Sequence, residues 1–537
     1  MNSTETKETR LHNFLDLNAT KRLKELAENP VDLTLPETIT QERIQSYVSE
    51  ACGYKFLYAT ERIDSLTLDT LRDLASESKA IEKMHQQQSG EVVSYIIGHE
   101  CDNRAVLHTA NRDFFGNPRT EATAQEAAKL SKNEIEKLKR FIESIEKSEQ
   151  FTTMIVIGIG GSNLGPQAHY LALEKNKPKT KHVFFVDNVD PDTACKVVAE
   201  VDLKKTLVLS ISKSGTTLET VSNDNFIRQQ YISAGLQPRD HFISVTTPGT
   251  PMDDSHLYFE TFYIWDWVGG RFSTSSMGGG VLLSFAYGVD AYMEFLRGAN
   301  AMDKVALEND LSTNLPLLGA LIGIWNRNFL NYPALAVIPY SDALKRYAAH
   351  IQQVDMESNG KCIDRFGKSV HFETGPMVWG EPGTSAQHSF YQLIHQGTNH
   401  IALEIIGLKE GQYSQDILWD HTYGQEKLNA FMFAQMLSLA QGQKSDNPNK
   451  LFPGNRPSHL LLTEKVTPFS LGALLAYYEH KIAFQGYIWN INSFDQEGVQ
   501  LGKDVANKIL QNVKNIHSGF DCNTQLFPLG DAFWKHL

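Results

Sequence analysis

The sequence predicts an α/β protein with two parallel-sheet units flanked by helices, a mainly helical N-terminal region and a C-terminal tail. Three observations predict it. The 537 residues exceed what one hydrophobic core usually organises. Short apolar runs alternate with helical patterns, the mark of βαβ units. That alternation comes in two series, separated by an apolar helical stretch near residues 280–298.

In chain order, the first hundred-odd residues carry broken helical patterns such as LHNFLDLNATKRLKELAENP, ended by Pro30, and no concentration of reactive groups. They read as scaffold. Residues 121–150 are highly charged, with Ile135, Leu138, Ile142 and Ile145 at helical spacing, so a long amphipathic helix is expected. The first strand series is TMIVIGI, HVFFVD, TLVLSIS, HFISVTT and YFETFYIW; the second is ALAVIPY, HIALEII and HLLLTE. Residues 441–459, dense in Gly, Pro, Asn and Ser, predict a long ordered surface loop. The limits that follow are 1–120 for the N-terminal region, 121–286 and 287–505 for the two α/β units, and 506–537 for the tail.

Composition excludes several functions. Hydrophobic residues make up 41% and charged residues 21%, an ordinary globular balance. With 50 basic against 63 acidic residues, a formal charge of -13 and no dense basic run, nucleic acid is not an expected partner. A small phosphate ester needs only a local cradle and stays open. Cys52, Cys101, Cys195, Cys362 and Cys522 are scattered, without metal spacing, and read as reduced thiols. The polar opening MNSTETKETRLHNF has no apolar signal core, and no apolar stretch is long enough to span a bilayer. A cytoplasmic location is expected, with no membrane partner.

Two strand-to-helix junctions could hold a phosphate. TMIVIGI runs into Gly160-Gly161-Ser162-Asn163-Leu164-Gly165-Pro166, a flexible backbone entering a helix N-terminus. A P-loop is excluded, because Pro166 and Gln167 stand where Lys and Ser/Thr are required. A dinucleotide fold lacks its third glycine at Asn163, although Asp187 mimics the ribose acid. Anion loop, ligand-free tight turn and dinucleotide loop all stay open here. The second junction, after TLVLSIS, is Ser212-Lys213-Ser214-Gly215-Thr216-Thr217. A capping box of Thr216 and Glu219 explains two of its neighbours. It leaves Ser212, Lys213, Ser214 and Thr217, whose hydroxyls and ammonium at a positive helix end suit a phosphate monoester.

Proton-moving groups lie further on. SDALKRYAAHIQQVDMESNGK places Leu344, Tyr347, Ile351 and Val354 on an apolar stripe, and Asn359-Gly360 is a stop signal. Glu357 then falls in the last turn with Gln353 one turn earlier on the same face. An ionised acid is disfavoured there by ~0.3–1 kcal/mol, the direction a general base needs. His388 follows the turn-rich GEPGTSAQ, near a helix start. Arg271, in DWVGGRFS, could reach a cleft and steady an enediolate oxygen, or serve a structural ion pair. SFDQEGVQLGK sets Gln496 and Lys503 on one helix face. No metal-ligand spacing appears.

Five segments together, GIGGSNLGP, SISKSGTTLET, DWVGGRFSTSSMG, QQVDMESNGK and SFDQEGVQLGK, resemble the phosphoglucose isomerase family. TGPMVWGEPGTSAQHSFYQLIHQG and NRAVLHTANR reinforce the match. The resemblance implies two sugar-isomerase α/β sandwich units, a homodimer, and interconversion of glucose 6-phosphate and fructose 6-phosphate without metal or cofactor. It implies that Ser212, Lys213, Ser214 and Thr217 cradle the phosphate and that Gly161, Ser162, Gln353 and Gln496 line the sugar site. His388, reaching the neighbouring subunit's site, would open the ring with Lys503. Glu357 would shuttle the proton between C1 and C2, and Arg271 would stabilise the cis-enediolate. Gln500 and Asn111 depart from the family pattern, which usually has Glu and an apolar residue there. The competing readings are a non-catalytic sugar-phosphate sensor, a nucleotide-dependent dehydrogenase and a bifunctional glucose/mannose-6-phosphate isomerase.

Overall fold

The computed structural model describes residues 11–100, 103–518 and 527–537, and the chain divides into two compact units, Met1–Ser493 and Phe494–Leu537. Cys52, Cys195 and Cys362 are free thiols. Cys101, Cys522 and the opening MNSTETKETR lie outside the described residues. Among the described residues no helix is long and apolar enough to cross a membrane.

The N-terminal region holds more than helical scaffold. Val48–Ala51 (β1) and Tyr54–Leu57 (β2) pair antiparallel through Cys52 and Gly53. Both turn residues have positive φ, 50° and 79°, as a two-residue hairpin loop of matching twist requires. Strands this short show too little alternation to announce themselves.

Thr153–Ile157 (β3), His182–Val186 (β4), Thr206–Ile211 (β5), Phe242–Thr246 (β6) and Glu260–Tyr263 (β7) form a wholly parallel sheet, ordered β4-β3-β5-β6-β7. β3 and β5 are buried at every position, as central strands of a parallel sheet are. Ile155, Val208, Ile227, Tyr231 and Phe242 belong to its core. The chain leaves β3 on one side to make β4 and returns on the other to make β5. The strand order therefore reverses between β3 and β5, and the crevice beyond their carboxyl ends is where such sheets bind ligands.

Ala334–Pro339 (β8), Met377–Trp379 (β9), Ile401–Leu408 (β10) and Ser458–Thr463 (β11) form the second parallel set, which the N-terminal hairpin extends to the order β1-β2-β11-β10-β8-β9. The amphipathic helix runs Ala122–Ser148 and buries Ile135, Leu138, Ile142 and Ile145. The apolar stretch near 280–298 is two helices, Met277–Tyr287 and Val289–Val305, broken at Gly288 with φ 87°. The predicted loop 441–459 is narrower, since Gln441 ends a helix and Ser458 opens β11; residues 442–457 hold little more than one turn of 3-10 helix, Pro448–Lys450, and a bridge between Gln443 and Phe452.

A buried charge cluster pins distant segments together. Arg112 donates twice to Asp303, at 2.8 and 2.7 Å, and once to Glu479 at 2.7 Å. His480 meets the same Asp303 at 2.6 Å. Burial favours the neutral acid, yet the Arg112 guanidinium holds Asp303 down to about 2. Next to it, Asn111 accepts a hydrogen bond from Ser131 of the amphipathic helix, a packing role.

Candidate active site

β3 ends at Ile157, and the chain turns through the glycines before the helix Leu164–Ala172. Gly160 has φ 56°, outside the range that suits side chains. A β-carbon on Gly161 would lie 2.3 Å from the Gly270 carbonyl, and one on Gly160 would lie 3.3 Å from Gln353 Nε2. The loop is thus pressed against the segment leading to Arg271 and against the Gln353 amide, with Ser162 half-buried at the helix entrance. Asn163, in the missing third glycine's place, donates to Asp187 at 2.9 Å. The carboxylate that ribose recognition would use is already engaged.

Arg271 is 3% exposed. Its Nε donates to Ser358 Oγ at 2.7 Å and its Nη2 to the Ser493 carbonyl at 2.6 Å, while Nη1 lies 3.7 Å from Glu357 Oε2. The 3-10 turn Gly270–Phe272 carries it, and Ser273 Oγ, just beyond, donates to the Gly161 carbonyl at 3.3 Å.

The helix Tyr347–Asn359 runs where the spacing placed it, with Tyr347, Ile351 and Val354 buried and Leu344 in the 3-10 turn just before. It stops at Gly360, whose N–H bonds the Met356 carbonyl. Glu357 sits in the last turn with its side chain 18% exposed. Gln353 Nε2 donates to Glu357 Oε2 at 3.1 Å. Gln353 Oε1 is buried without a hydrogen-bond partner among the described residues, so it offers an acceptor that a bound hydroxyl could satisfy. Lys361 Nζ donates to the Glu357 carbonyl at 2.9 Å, a cation at the helix C-terminus.

At the second junction Ser212 Oγ and Thr217 Oγ1 lie 2.8 Å apart. Gly215, at φ 65°, brings the backbone against Thr250. The expected capping box does not form. The helix is Leu218–Ser233, its N-cap is Thr217 without a side-chain cap bond, and Thr216 Oγ1 donates to Ser214 Oγ at 3.0 Å instead. The first turn therefore takes no side-chain cap from Thr217. Lys213 Nζ donates to the Asp266 carbonyl at 2.8 Å, tying this loop to the segment that carries Arg271.

His388 is exposed, as the C-cap of the helix Gly383–Gln387 and just ahead of Tyr391–Gln396. Its segment is anchored where Gln387 Nε2 donates to Tyr340 Oη at 2.7 Å. Gln496, the N-cap of Glu497–His517, and Lys503 on that helix are exposed residues of the second unit. There Gln500 donates to Asp504 at 2.9 Å. Within the first unit the structure brings together Gly161, Arg271, Gln353 and Glu357, with the Ser212–Thr217 cluster linked through Asp266. Sequence reasoning missed Ser358 and the Ser493 carbonyl, which fix Arg271. Their only signal was that Ser358 adjoins Glu357 and that Ser493 opens SFDQ.

A family model described as phosphoglucose isomerase matches residues 57–527. The glucose-6-phosphate isomerase of Protochlamydia amoebophila (strain UWE25) is 54% identical over 525 residues, covering 98% of this chain and 97% of its own length. That of Chlamydia caviae is 50% identical over 498 residues, 93% of this chain and 94% of its own. The crystal structure of a glucose-6-phosphate isomerase from Chlamydia trachomatis D/UW-3/Cx superposes with a TM-score of 0.93 at 45% identity, covering 98% of this chain and 99% of that one. With matches that run through both sheets and the residues gathered at their strand ends, this chain belongs to the phosphoglucose isomerase family.

Proposed function

We propose that the chain interconverts glucose 6-phosphate and fructose 6-phosphate, with Glu357 as the carbon base and Arg271 as the partner of the developing oxyanion. The isomerase activity goes with the family and with relatives covering almost the whole chain; the residue roles are our reading. One observation carries it. A carboxylate, a buried guanidinium and an amide with an unsatisfied acceptor meet at the carboxyl end of a parallel sheet, 3.7 and 3.1 Å apart.

In this scheme the phosphate sits on the hydroxyls of Ser212, Ser214 and Thr217 and the N-terminus of Leu218–Ser233, with Lys213 alongside. The sugar lies against Gly161, Ser162 and Gln353. His388 and Lys503 transfer the ring-opening proton. Glu357 takes the C2 proton of the open aldose and returns it to C1, while the hydroxyl proton moves from O2 to O1. Arg271 stabilises the enediolate between these steps. Gln496 and Lys503, on the segment SFDQEGVQLGK, keep the roles that the resemblance implies. The exposure of His388 on its own protomer supports a homodimer in which it serves the neighbouring site. The free thiols Cys52, Cys195 and Cys362 fit a cytoplasmic enzyme, and 121–286 and 287–505 are the proposed sugar-isomerase units.

The test is conversion of fructose 6-phosphate in EDTA, read by a coupled dehydrogenase. Wild type should be active, and Glu357→Gln should lose ~10²–10⁴-fold in kcat with its melting temperature kept. Full activity in the variant would remove Glu357 as base. Mixing the inactive Glu357→Gln and His388→Ala proteins under subunit exchange should restore activity only if sites are shared between protomers.

A further inference from the structure

The first unit carries a second cluster of buried basic side chains, built from residues that the isomerase site does not use. Lys83, on the helix Ala80–Ser89, and Arg365 are 5% and 3% exposed. With Gln86, Val93, Tyr95 and Tyr487 they line a cavity of about 330 Å³. The carboxylate on that lining, Glu91, is exposed.

Among the described residues, the hydrogen-bond partners of Lys83 Nζ carry no negative charge. Nζ meets the Tyr487 carbonyl at 3.2 Å and His12 Nδ1 at 3.2 Å. The other ring nitrogen of His12 faces the Ile488 carbonyl at 2.8 Å and must carry the proton there, which leaves Nδ1 as an acceptor. Burial and the nearby Lys83 hold His12 down to about 3, so it stays neutral. Burial, and then Arg365, push the Lys83 ammonium well below the usual lysine range.

Arg365 Nε donates to the Ile491 carbonyl at 3.1 Å. Its Nη2 is buried with no hydrogen-bond partner among the described residues. The guanidinium lies 5.2 Å from the Tyr95 ring and 5.5 Å from the Tyr487 ring. Burial and Arg365 drive the Lys83 amine toward its neutral form, and a negative group seated beside both would restore its proton and complete the pair. A forked guanidinium beside an ammonium is the donor set that suits a tetrahedral oxyanion.

We propose that this cavity binds a phosphate-type oxyanion, free or as a small ester, between Lys83 Nζ and Arg365 Nη2, separately from the sugar-phosphate site. The aromatic walls shield the pair from bulk water, which strengthens its hold on an anion. The cavity is larger than the anion alone needs, so a short organic group can enter with it.

Calorimetric titration of the full chain with inorganic phosphate, at ionic strength fixed with chloride, tests the proposal. Wild type should bind one more phosphate per chain than Lys83→Met, while the variant keeps isomerase kcat within about twofold. The methionine fills the same space without the charge. If it does not fold, Arg365→Lys keeps a cation but loses the fork and should weaken the same event. Ser214→Ala/Thr217→Ala, which empties the proposed catalytic cradle, should retain it. Equal phosphate stoichiometry in wild type and Lys83→Met, or in wild type and a folded Arg365→Lys with unchanged affinity, overturns the proposal. Glycerol 1-phosphate in place of phosphate separates the sources: tighter binding assigns the remaining volume to an ester, weaker binding to the free anion.

Discussion

Arg271 presents Nη1 3.7 Å from the Glu357 carboxylate because its other two nitrogens are held by the Ser358 hydroxyl and the Ser493 carbonyl. A charge fixed this way needs no reorganisation when an oxyanion forms beside it. Ser358 is the neighbour of the proposed base, so one helix end orients both the carboxylate and its cation.

Ser358→Ala leaves a buried guanidinium N–H without its acceptor, a loss of about 1–3 kcal/mol. Because Ser358 acts through Arg271, kcat should fall while KM moves little, and Ser358→Thr should recover most of the rate. Steady-state kinetics on the three proteins decide it. A change confined to KM would assign Arg271 to ground-state binding instead.

The hydroxyl cluster should behave in the opposite way. A hydrogen bond to a charged group contributes about 1.5–3 kcal/mol, so Ser214→Ala with Thr217→Ala should raise KM for fructose 6-phosphate by at least about tenfold. The accompanying kcat loss should be smaller. An unchanged KM would place the phosphate elsewhere.

Gly161 and Gly270 face one another but differ in tolerance. A methyl on Gly161 would meet the Gly270 backbone at 2.3 Å, whereas one on Gly270 meets nothing within 4 Å. Gly161→Ala should therefore cost about 1–3 kcal/mol by overpacking, lower the melting temperature and displace the loop from Arg271. Gly270→Ala should melt like wild type. Equal melting of the two would show that the loops are not in contact.

Asp355, two residues before Glu357, is fully buried, and its Oδ1 has no hydrogen-bond partner among the described residues. Burial pushes it up from 3.8 to about 7, against the pull of Lys481 and with the push of Glu404. Its folded value lies above its unfolded one, so the folded state holds the extra proton and this group's contribution falls as pH rises from about 4 to about 7. Asp355→Asn removes that slope. The melting temperature of the variant minus that of wild type should grow from about pH 5 to about pH 8; a constant difference would show that Asp355 does not titrate in this range.

Where the elements of the candidate site rest on short local patterns, the sequence was readable. The stripe Tyr347, Ile351, Val354 with its Asn-Gly stop located Glu357 and Gln353 to the residue. The alternating apolar runs located the junctions after β3 and β5. What escaped depends on contacts between distant segments. The pairing of Arg112 with Glu479 spans 367 positions, and no periodicity records it. The Thr216 cap failed for a local reason: its hydroxyl met Ser214 first, and the helix began one residue later. β9, three residues long, and the β1–β2 hairpin are too brief to show a period. The exposure of His388 is likewise not written in any local pattern.

The Arg112 cluster also sets an order on how the molecule can be made. The strands of the first sheet are contiguous in the chain, between residues 153 and 263, so they can pair as soon as that stretch has left the ribosome. Arg112 waits longer: Asp303 follows 191 positions later, and Glu479 only 367 positions later. Until then an N-terminal guanidinium destined for full burial keeps its water, and the segment around it cannot close. The first sheet is thus free to form early as a nascent module, while the seam around Arg112 is sealed only once the stretch that carries Glu479 has emerged.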